Sequence, residues 1–434
     1  MNIDIINYDP QLCRSSFLSD RLSRCFSDYI LIYVRPFVAQ IPTDTIARMV
    51  IVAHDSEANI VYGDYYDATP EGKTIHRTID YQLGSVRDDF DFGGVLLIRR
   101  LPITLMQTEY AALYDLRLQL SARGAVVHIP EPLSIVGLND TRTSGEKQFD
   151  YVNPNSSNVQ LEMEQVFTAH LKRIDAQLTH LPETYDAEEK EVTASVIIPV
   201  LNRERTIADA IQSALMQQTS FPFNIIVVDN HSTDRTSDIV KSIAQTDNRV
   251  IHIIPERTDL GIGGCWMEAV NSQYCGTYAV QLDSDDLYQS SNTLKIIIDK
   301  FKEEHCGMVI GSYTLTDINC QPISPGLIAH REWTDENGRN NALRINGLGA
   351  PRAFATDLLR MLPMPNTSYG EDYAIGLRIS RQYKIGRIFD SLYLCRRWHD
   401  NSDANLDTER VNRNNHYKDF IRSIEIAARK HNNK

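Results

Sequence analysis

Hydrophobic positions in the C-terminal half of the chain come as short unbroken runs separated by stretches with helical spacing. Ala194–Val200 (ASVIIPV) is an apolar run ending in Pro-Val and predicts a buried strand. Across Glu204–Gln217, Ile207, Ile211, Ala214 and Leu215 fall on one helical face. Asn224–Asp229 (NIIVVD) predicts the next strand and Asp234–Ala244 the next helix. Val250–Ile254 and Thr277–Asp283 (TYAVQLD) predict two further strands, Ser291–Glu304 a helix and Met308–Tyr313 a strand. Continuously apolar strands alternating with helices predict an α/β fold, a mixed and mostly parallel sheet with helices on both faces.

Upstream the pattern changes. Asn139–Ser144 and Asn153–Asn158 are rich in Asn, Ser and Thr and read as loops. Met163, Phe167, Leu171, Ile174 and Leu178 mark one face of an amphipathic helix that Pro182 ends, and the acidic run Asp186–Glu191 follows. These features predict a smaller α/β domain over 1–136, a helical linker over 137–190, a larger domain over 191–402 and a C-terminal helix over 403–434.

The smaller domain carries an internal repeat of the larger one. TEYAALYDLRLQLSARGAVVHIPEPL, from Thr108, aligns without a gap on TSYGEDYAIGLRISRQYKIGRIFDSL, from Thr367, and seven residues coincide. Met49–Ile51 is expected to match Met308–Ile310, both MVI, and Tyr29–Pro36 to match Tyr278–Asp285. The copies differ where charge matters. Asp283-Ser284-Asp285 is replaced by Val34-Arg35-Pro36, and Glu371-Asp372 by Ala112-Leu113. The N-terminal copy is therefore expected to be non-catalytic. Asp88-Asp89-Phe90-Asp91-Phe92 contains an Asp-x-Asp but follows Gly84-Ser85, not an apolar strand, and reads as an acidic loop with packing aromatics.

Composition narrows the classes. The 434 residues exceed one ordinary core. A formal net charge of −13 disfavours nucleic acid as the partner, because phosphate backbones need a concentrated basic face. Seven cysteines without a Cys-x-x-Cys pair predict neither a disulfide framework nor a zinc site, and fit a reducing compartment. The start, MNIDIINYDP, lacks the pattern of a secretory signal, and no run of about 18 apolar residues predicts a membrane span. A cytoplasmic location is expected, with transient association at the inner face of the membrane for a membrane-bound acceptor. A homo-oligomer contact is one role open to the N-terminal domain.

Gln281-Leu282-Asp283-Ser284-Asp285-Asp286 carries the strongest chemistry. An apolar strand ends in three carboxylates, and ligands bind beyond the carboxyl ends of strands in open α/β sheets. Clustered aspartates repel one another without a cation, and hard oxygen ligands suit Mg²⁺ or Mn²⁺ shared with substrate phosphates. A solvated acidic turn would explain the same residues. Two other strand ends, Pro199-Val200-Leu201-Asn202 and Asp229-Asn230-His231-Ser232-Thr233-Asp234, add polar loops suited to a nucleotide; helix capping alone explains the Ser and Thr. Arg257 follows the third strand, and Gly261-Ile262-Gly263-Gly264 opens a helix whose amides could approach phosphate. No GxxxxGK[ST] is present, which disfavours a P-loop ATPase. Glu371 and Asp372 open a helix, as dipole-stabilising residues or as a general base. Arg396 and Arg397 could neutralise a diphosphate, and His399 could ligate metal.

Taken in order, SVIIPVLNRERTIADAIQSAL, VVDNHSTDRT, DLGIGGCWMEA, QLDSDD and GEDYAIGLR over residues 194–400 resemble glycosyltransferase family 2. Asn230 and His231 depart from the family's Asp and Gly, and Leu201 occupies a place that often holds an aromatic. Arg397-Trp398 resembles the end of the QxxRW signature, whose Gln is missing. The resemblance implies a GT-A fold (nucleotide-diphospho-sugar transferase, Rossmann-like). It implies transfer, with inversion, from a nucleotide-diphosphate sugar to a saccharide or glycolipid hydroxyl. By that resemblance Asp285, with Asp283 or Asp286, would hold Mg²⁺ or Mn²⁺. Asp372 would be the base and Glu371 would orient the acceptor. Pro199, Leu201, Asn202, Asp229, Asn230, Arg257, Gly261, Asp283, Ser284, Arg396 and Arg397 would bind the donor, and Gly347, Leu348 and Gly349 would shape the acceptor side. Two alternatives stand beside it: a nucleotidyltransferase that makes an activated sugar, and a non-catalytic sugar-binding or assembly protein.

Overall fold

The computed structural model describes residues 3–70, 72–137, 157–398 and 407–433. The chain forms two compact units. Unit 1 comprises Met1–Leu178, Asn340–Asn346 and Asn405–Lys434; unit 2 comprises Thr179–Arg339 and Gly347–Ala404.

Unit 1 contains β1 (Ile3–Ile6), α1 (Ser15–Ser23), β2 (Tyr29–Tyr33), α2 (Thr43–Asp55), β3 (Ile60–Thr69), β4 (Gly72–His76), β5 (Val95–Arg99), α3 (Ala112–Ser121), β6 (Val126–Gly137) and α4 (Ser157–Arg173). Its sheet runs β1-β2-β5-β3-β4, with β6 also paired to β3. Strand alternation sends Ile30 and Ile32 of β2 into a core with Leu116 and Leu120 of α3. Tyr29, Leu31 and Tyr33 enter a second core with Met49, Val50 and Ala53 of α2. Both faces are thus covered, which explains a strand without a polar position. Met49–Ile51 lies on helix α2, not on a strand, so its expected match to Met308–Ile310 fails. The shared tripeptide sits on a segment with helical, not alternating, spacing.

The expected linker over 137–190 is divided between the units. Helix α4 ends at Arg173, well before Pro182, because Asp175 turns left-handed (φ 58°) and the Ala176 amide bonds back to the Leu171 carbonyl. Phe167, Leu171 and Leu178 are buried within unit 1.

The C-terminal helix also belongs to unit 1, and it inverts the usual amphipathic arrangement. It spans Thr408–Asn432, buries Asp419, Arg422, Glu425 and Arg429, and exposes Phe420 and Ile424. The buried charges are paired and hydrogen-bonded, as burial demands. Arg422 donates to Asp419 at 2.9 Å, to the Leu343 and Ile345 carbonyls at 2.8 and 3.1 Å, and to the Asn346 side chain at 2.6 Å. Ser85 Oγ donates to Asp419 at 2.9 Å, and Arg429 donates to Glu425 at 2.8 Å. A Cβ on Gly84 would lie 2.1 Å from the Asp419 carbonyl oxygen, so only glycine fits beneath the helix there.

Unit 2 contains β7 (Ala194–Val200), α5 (Ile207–Leu215), β8 (Phe223–Asp229), α6 (Thr236–Thr246), β9 (Val250–Ile253), α7 (Ile262–Asn271), β10 (Tyr278–Gln281), β11 (Leu287–Tyr288) and α8 (Thr293–Glu304). After β12 (Met308–Asp317) and β13 (Pro322–Ile328), a single turn α9 (Gly338–Asn341) spans the boundary. There follow β14 (Arg352–Ala355), α10 (Thr356–Met361), α11 (Glu371–Gln382) and β15 (Ile385–Arg397); the C-terminal helix is α12. The sheet order is β11-β15-β12-β14-β10-β7-β8-β9, with β13 on β12. Strands β10, β7, β8 and β9 form a parallel block whose members end on one side, with Val200 opposite Asp229 and Gln281 opposite Ile197. Strand β14 enters antiparallel between β10 and β12.

The two sheets share an order of neighbours. Strand β2 lies between parallel β1 and antiparallel β5, as β10 lies between parallel β7 and antiparallel β14. Strand β3 pairs antiparallel with β5 and parallel with β6, as β12 does with β14 and β15. Both parallel pairs slip register twice within two residues, around Asp64 and around Ser312. At the slips, a Cβ on Gly63 would lie 2.5 Å from Leu133, and one on Gly311 would lie 3.2 Å from Leu392. Leu133 and Leu392 are themselves matched in the sequence repeat. Among the described residues of unit 1, no strands parallel β8 and β9.

Candidate functional site

The acidic cluster begins one residue after β10. Leu282 is fully buried and anchors the turn, and Asp283, Ser284, Asp285 and Asp286 follow. Gln281 Nε2 donates to both oxygens of Asp283, at 3.0 and 2.9 Å, and the Asp283 amide donates to Tyr393 Oη at 2.8 Å. Asp286 is buried and accepts from the Arg396 amide at 2.8 Å, which ties the turn to β15. Arg203 Nε reaches within 3.7 Å of Asp285 Oδ2. Burial and then the neighbouring Asp283 charge push the Asp285 carboxyl upward; burial, Asp285 and Asp283 push Asp286 well upward. Crowded carboxylates that cost each other their charge are what a divalent cation would relieve. Asp286 is engaged by the backbone of β15, which leaves Asp283 and Asp285 as the candidate metal ligands. Among the described residues no three His, Cys, Asp or Glu side chains gather as a ready-made metal cage. His399 lies outside the described residues.

Arg396 was expected on the diphosphate, but its side chain is 3% exposed and turned inward. It donates to the Asp285 carbonyl at 2.5 Å and to Asp209 at 3.2 Å. It therefore shapes the acidic turn from beneath. Arg397 ends β15, and Arg205 stacks over the adjacent Trp398 ring at 5.1 Å.

The ends of β7 and β8 are laced together. Asn202, left-handed at φ 53°, accepts from the Thr233 amide at 2.8 Å, and its own amide donates to Ser232 Oγ at 3.0 Å. Arg203 N–H donates to Thr236, and Glu204 N–H to Asp234. Pro199 is half-buried within β7, and Leu201 stands 48% exposed just beyond it. Asp229 was expected to bind base or ribose, but it is fully buried and committed to its own loop. It accepts from the Ser232 amide at 2.9 Å, from Ser237 and from His252 at 3.4 Å. Burial alone would raise its carboxyl; the bonds from His252, Ser232 and Ser237 outweigh burial and hold it far below the usual range. Asn230 donates to the Leu260 carbonyl at 2.8 Å, while its Oδ1 is buried and, among the described residues, has no partner. That orphaned acceptor is the polar atom of this crevice best fitted to a ligand donor.

The glycine segment has a different purpose from the one expected. The Gly261 amide donates to Asn366 at 2.7 Å, the Ile262 amide to Ser368 at 3.4 Å and the Gly263 amide to the Thr367 carbonyl at 2.9 Å. A Cβ on Gly263 would lie 2.0 Å from the Pro365 carbonyl oxygen, and one on Gly264 would lie 2.3 Å from Asn366. The start of α7 is thus closed by the loop 365–368 and offers these amides to no phosphate. Arg257 is likewise turned to Asp259, at 2.7 Å on an exposed surface, with the His231 ring on its carbonyl.

Gly370, left-handed at φ 77°, starts α11 and places Glu371 and Asp372 in its first turn. Asp372 pairs with Arg352, which also donates to the Gly349 carbonyl at 3.2 Å. The Arg352 amide donates to Gln281 Oε1 at 3.0 Å. Asp283, Gln281, Arg352 and Asp372 therefore form one hydrogen-bonded chain between the strand end and the helix start. Glu371 is 9% exposed, its Oε2 has no partner among the described residues, and burial followed by the Asp372 charge pushes its carboxyl up to about 8. In the segment 347–351, Gly349 has φ 106° and a Cβ there would lie 2.9 Å from the Gly311 carbonyl oxygen. Leu348 was expected to face the acceptor; it is 1% exposed, packs against Gly376 and gives its carbonyl to Arg387 at 2.6 Å. Arg352 and Arg203 are absent from the sequence reading. Arg203 stands in the quoted PVLNRER loop, but nothing in its spacing sets it apart.

Residues 195–359 match the family described as glycosyl transferase family 2. An uncharacterized glycosyltransferase of Haemophilus influenzae is 32% identical over 205 residues, 43% of this chain and 60% of that one. The UDP-Glc:alpha-D-GlcNAc-diphosphoundecaprenol beta-1,3-glucosyltransferase WfgD of Escherichia coli is 28% identical over 195 residues, 45% of this chain and 72% of that one. The structure of Staphylococcus aureus TarS 1-349 in complex with UDP-GlcNAc overlays with a TM-score of 0.40 at 21% identity, covering 50% of this chain and 62% of that one. The chain spans 16% of the length of the Streptococcus pneumoniae glycosyltransferase GlyA, and 38% of its GlyG.

Proposed function

We propose that unit 2, in which residues 195–339 and 347–359 match glycosyl transferase family 2, transfers a sugar, with inversion, from a nucleotide-diphosphate donor to a saccharide or glycolipid hydroxyl. The observation that carries this reading is the hydrogen-bonded chain from Asp283 through Gln281 and Arg352 to Asp372. It joins Asp283, one of the two carboxylates proposed for the cation, to Asp372, the proposed proton acceptor.

Asp283 and Asp285 would hold Mg²⁺ or Mn²⁺. When bound, the cation supplies Lewis-acid stabilisation of the diphosphate leaving group. Asp372 takes the proton of the acceptor hydroxyl as its oxygen attacks the anomeric carbon; the bond from that carbon to the diphosphate oxygen breaks on the opposite side. A single displacement of this kind inverts the anomeric centre. Glu371, protonated through much of the neutral range, donates a hydrogen bond that orients the acceptor oxygen. Asn230 Oδ1 and the exposed Leu201 face the base, and Gly347 and Gly349 leave room for the acceptor. Among the described residues no helix is long and apolar enough to cross a membrane. A lipid-linked acceptor would then be met by transient association at the membrane surface. Unit 1, without carboxylates at the corresponding strand end and helix start, is the non-catalytic partner of unit 2 in the same chain.

Incubation with UDP-, GDP-, ADP- and dTDP-sugars plus MnCl₂ tests the reading. The expected result is thermal stabilisation by one donor and metal-dependent release of its nucleoside diphosphate. Release of pyrophosphate from a sugar phosphate and a nucleoside triphosphate would instead establish a nucleotidyltransferase, and binding without turnover a sugar-binding protein.

A further inference from the structure

Arg352 opens β14, the antiparallel strand inserted beside β10. Its backbone amide is held by Gln281 Oε1 at 3.0 Å, and the same Gln281 side chain grips both oxygens of Asp283. Its guanidinium donates to Asp372 Oδ2 and to the Gly349 carbonyl at 3.2 Å. Both members of the ion pair are largely shielded, with side-chain exposures of 18% and 24%. Asp283, in the turn after β10, adds its charge near the same guanidinium, so one cation faces carboxylates from that turn and from α11. Arg352 touches the candidate base, the acceptor-side loop and, through the Gln281 amide, the carboxylate proposed for the metal.

We infer that Arg352 is a positioning residue for sugar transfer, which aims the Asp372 carboxylate at the acceptor hydroxyl and fixes its spacing from Asp283 through Gln281. The inference rests on the reading of Asp372 as the proton acceptor. A planar fork with fixed donor directions suits this task, and an ammonium in its place keeps the charge without the geometry. Misplacement of a reacting group by about 1 Å costs about 10²-fold in rate.

The test compares Arg352→Ala, Arg352→Lys and Asp372→Asn. Turnover is read as nucleoside diphosphate release from UDP-glucose, UDP-galactose, UDP-N-acetylglucosamine and GDP-mannose with MnCl₂, and binding as the Mn²⁺-dependent thermal shift with UDP and GDP. For Arg352→Ala the expected result is a kcat lower by about 10²-fold, with donor KM and the Mn²⁺-dependent shift within about twofold of the parent. Arg352→Lys recovers about a tenth of the lost rate, and guanidinium chloride at tens of millimolar restores Arg352→Ala where sodium chloride does not. A purely stabilising arginine would lower the melting temperature without responding to guanidinium in kcat. Should Arg352→Ala fold poorly, Arg352→Lys and Arg352→Gln, matched by melting temperature, carry the same comparison. Parental kcat in the Arg352 variants beside a dead Asp372→Asn overturns the inference and leaves the base assignment standing. An active Asp372→Asn overturns both.

Discussion

The carboxyl ends of β2 and β10 occupy the same place among the same neighbours, and they handle charge in opposite ways. After β2 comes Val34-Arg35-Pro36; Arg35 donates to Asp91 at 2.6 Å and to Tyr65 Oη at 3.0 Å, so the local carboxylate meets a cation built into the chain. After β10 come three aspartates, with Arg203 no nearer than 3.7 Å to the Asp285 carboxylate and the Arg396 head turned to a backbone carbonyl. The helix starts repeat the contrast. Helix α3 opens with Ala112-Leu113 and buries Asp115, which is satisfied by the Met106 amide and Gln119. Helix α11 opens with Glu371-Asp372, and the Glu371 Oε2 atom is unpartnered among the described residues. Unit 1 thus pairs its carboxylates within itself, whereas in unit 2 the buried Glu371 Oε2 has no partner among the described residues, an arrangement that costs stability.

The sharpest way to break this contrast is at the helix start. Asp372→Asn should lower kcat by about 10²- to 10⁴-fold while donor binding persists, as measured by turnover and by the Mn²⁺-dependent thermal shift. A change at the corresponding Leu113 to Asn should leave turnover within experimental scatter. Unit 1 should instead fail where its internal pairs are cut. Arg422→Met takes one cation from the buried Asp419, leaving it Ser85 and Arg87, and strands three acceptors of the 343–346 segment; it should cost about 3–5 kcal/mol in denaturant unfolding of unit 1.

A smaller effect is expected with pH. The Glu371 carboxyl is raised to about 8 in the folded chain against an ordinary value of 4.5. Between those values the folded state keeps a proton that the unfolded state has released, so this contribution to stability is full below about 4.5 and is lost as pH rises toward 8. Glu371→Gln should flatten that decline, by a few kcal/mol at about pH 8 on the metal-free protein. An unchanged melting temperature profile would count against an unsatisfied buried carboxyl. The smallest effect belongs to the partly exposed pair of unit 1: Asp91→Asn should cost about 0–1 kcal/mol and leave Mn²⁺-dependent binding untouched.

Much of this architecture is legible in the sequence. The runs ending at Val200, Asp229 and Gln281 foretell the parallel block, because a strand buried on both faces has no polar position to disguise it. The acidic turn at 283–286 announces itself by following such a run. Other features depend on what the fold brings together. Strand β14 is only four residues long and antiparallel, so the placement of Arg352 between Gln281 and Asp372 has no local signature. Gly261 and Gly263 look like a phosphate cradle until the loop 365–368, about a hundred residues later, takes their amides. Asp229 resembles an exposed binding residue at a strand end, yet Ser232 of the following loop, Ser237 of α6 and His252 of β9 all bond to it. The MVI of α2 shows that three matching letters do not carry a period, and α12 shows a helix that the usual amphipathic rule would place inside out.

The acidic turn after β10 is the proposed seat of a divalent cation shared with a diphosphate. Isothermal titration of UDP and GDP with and without MnCl₂ on the parent, Asp285→Ala and Asp91→Ala proteins measures this most directly. The account predicts binding of one nucleotide that requires Mn²⁺, survives Asp91→Ala and disappears in Asp285→Ala. Nucleotide binding of equal strength without Mn²⁺, or undiminished in Asp285→Ala, would contradict it.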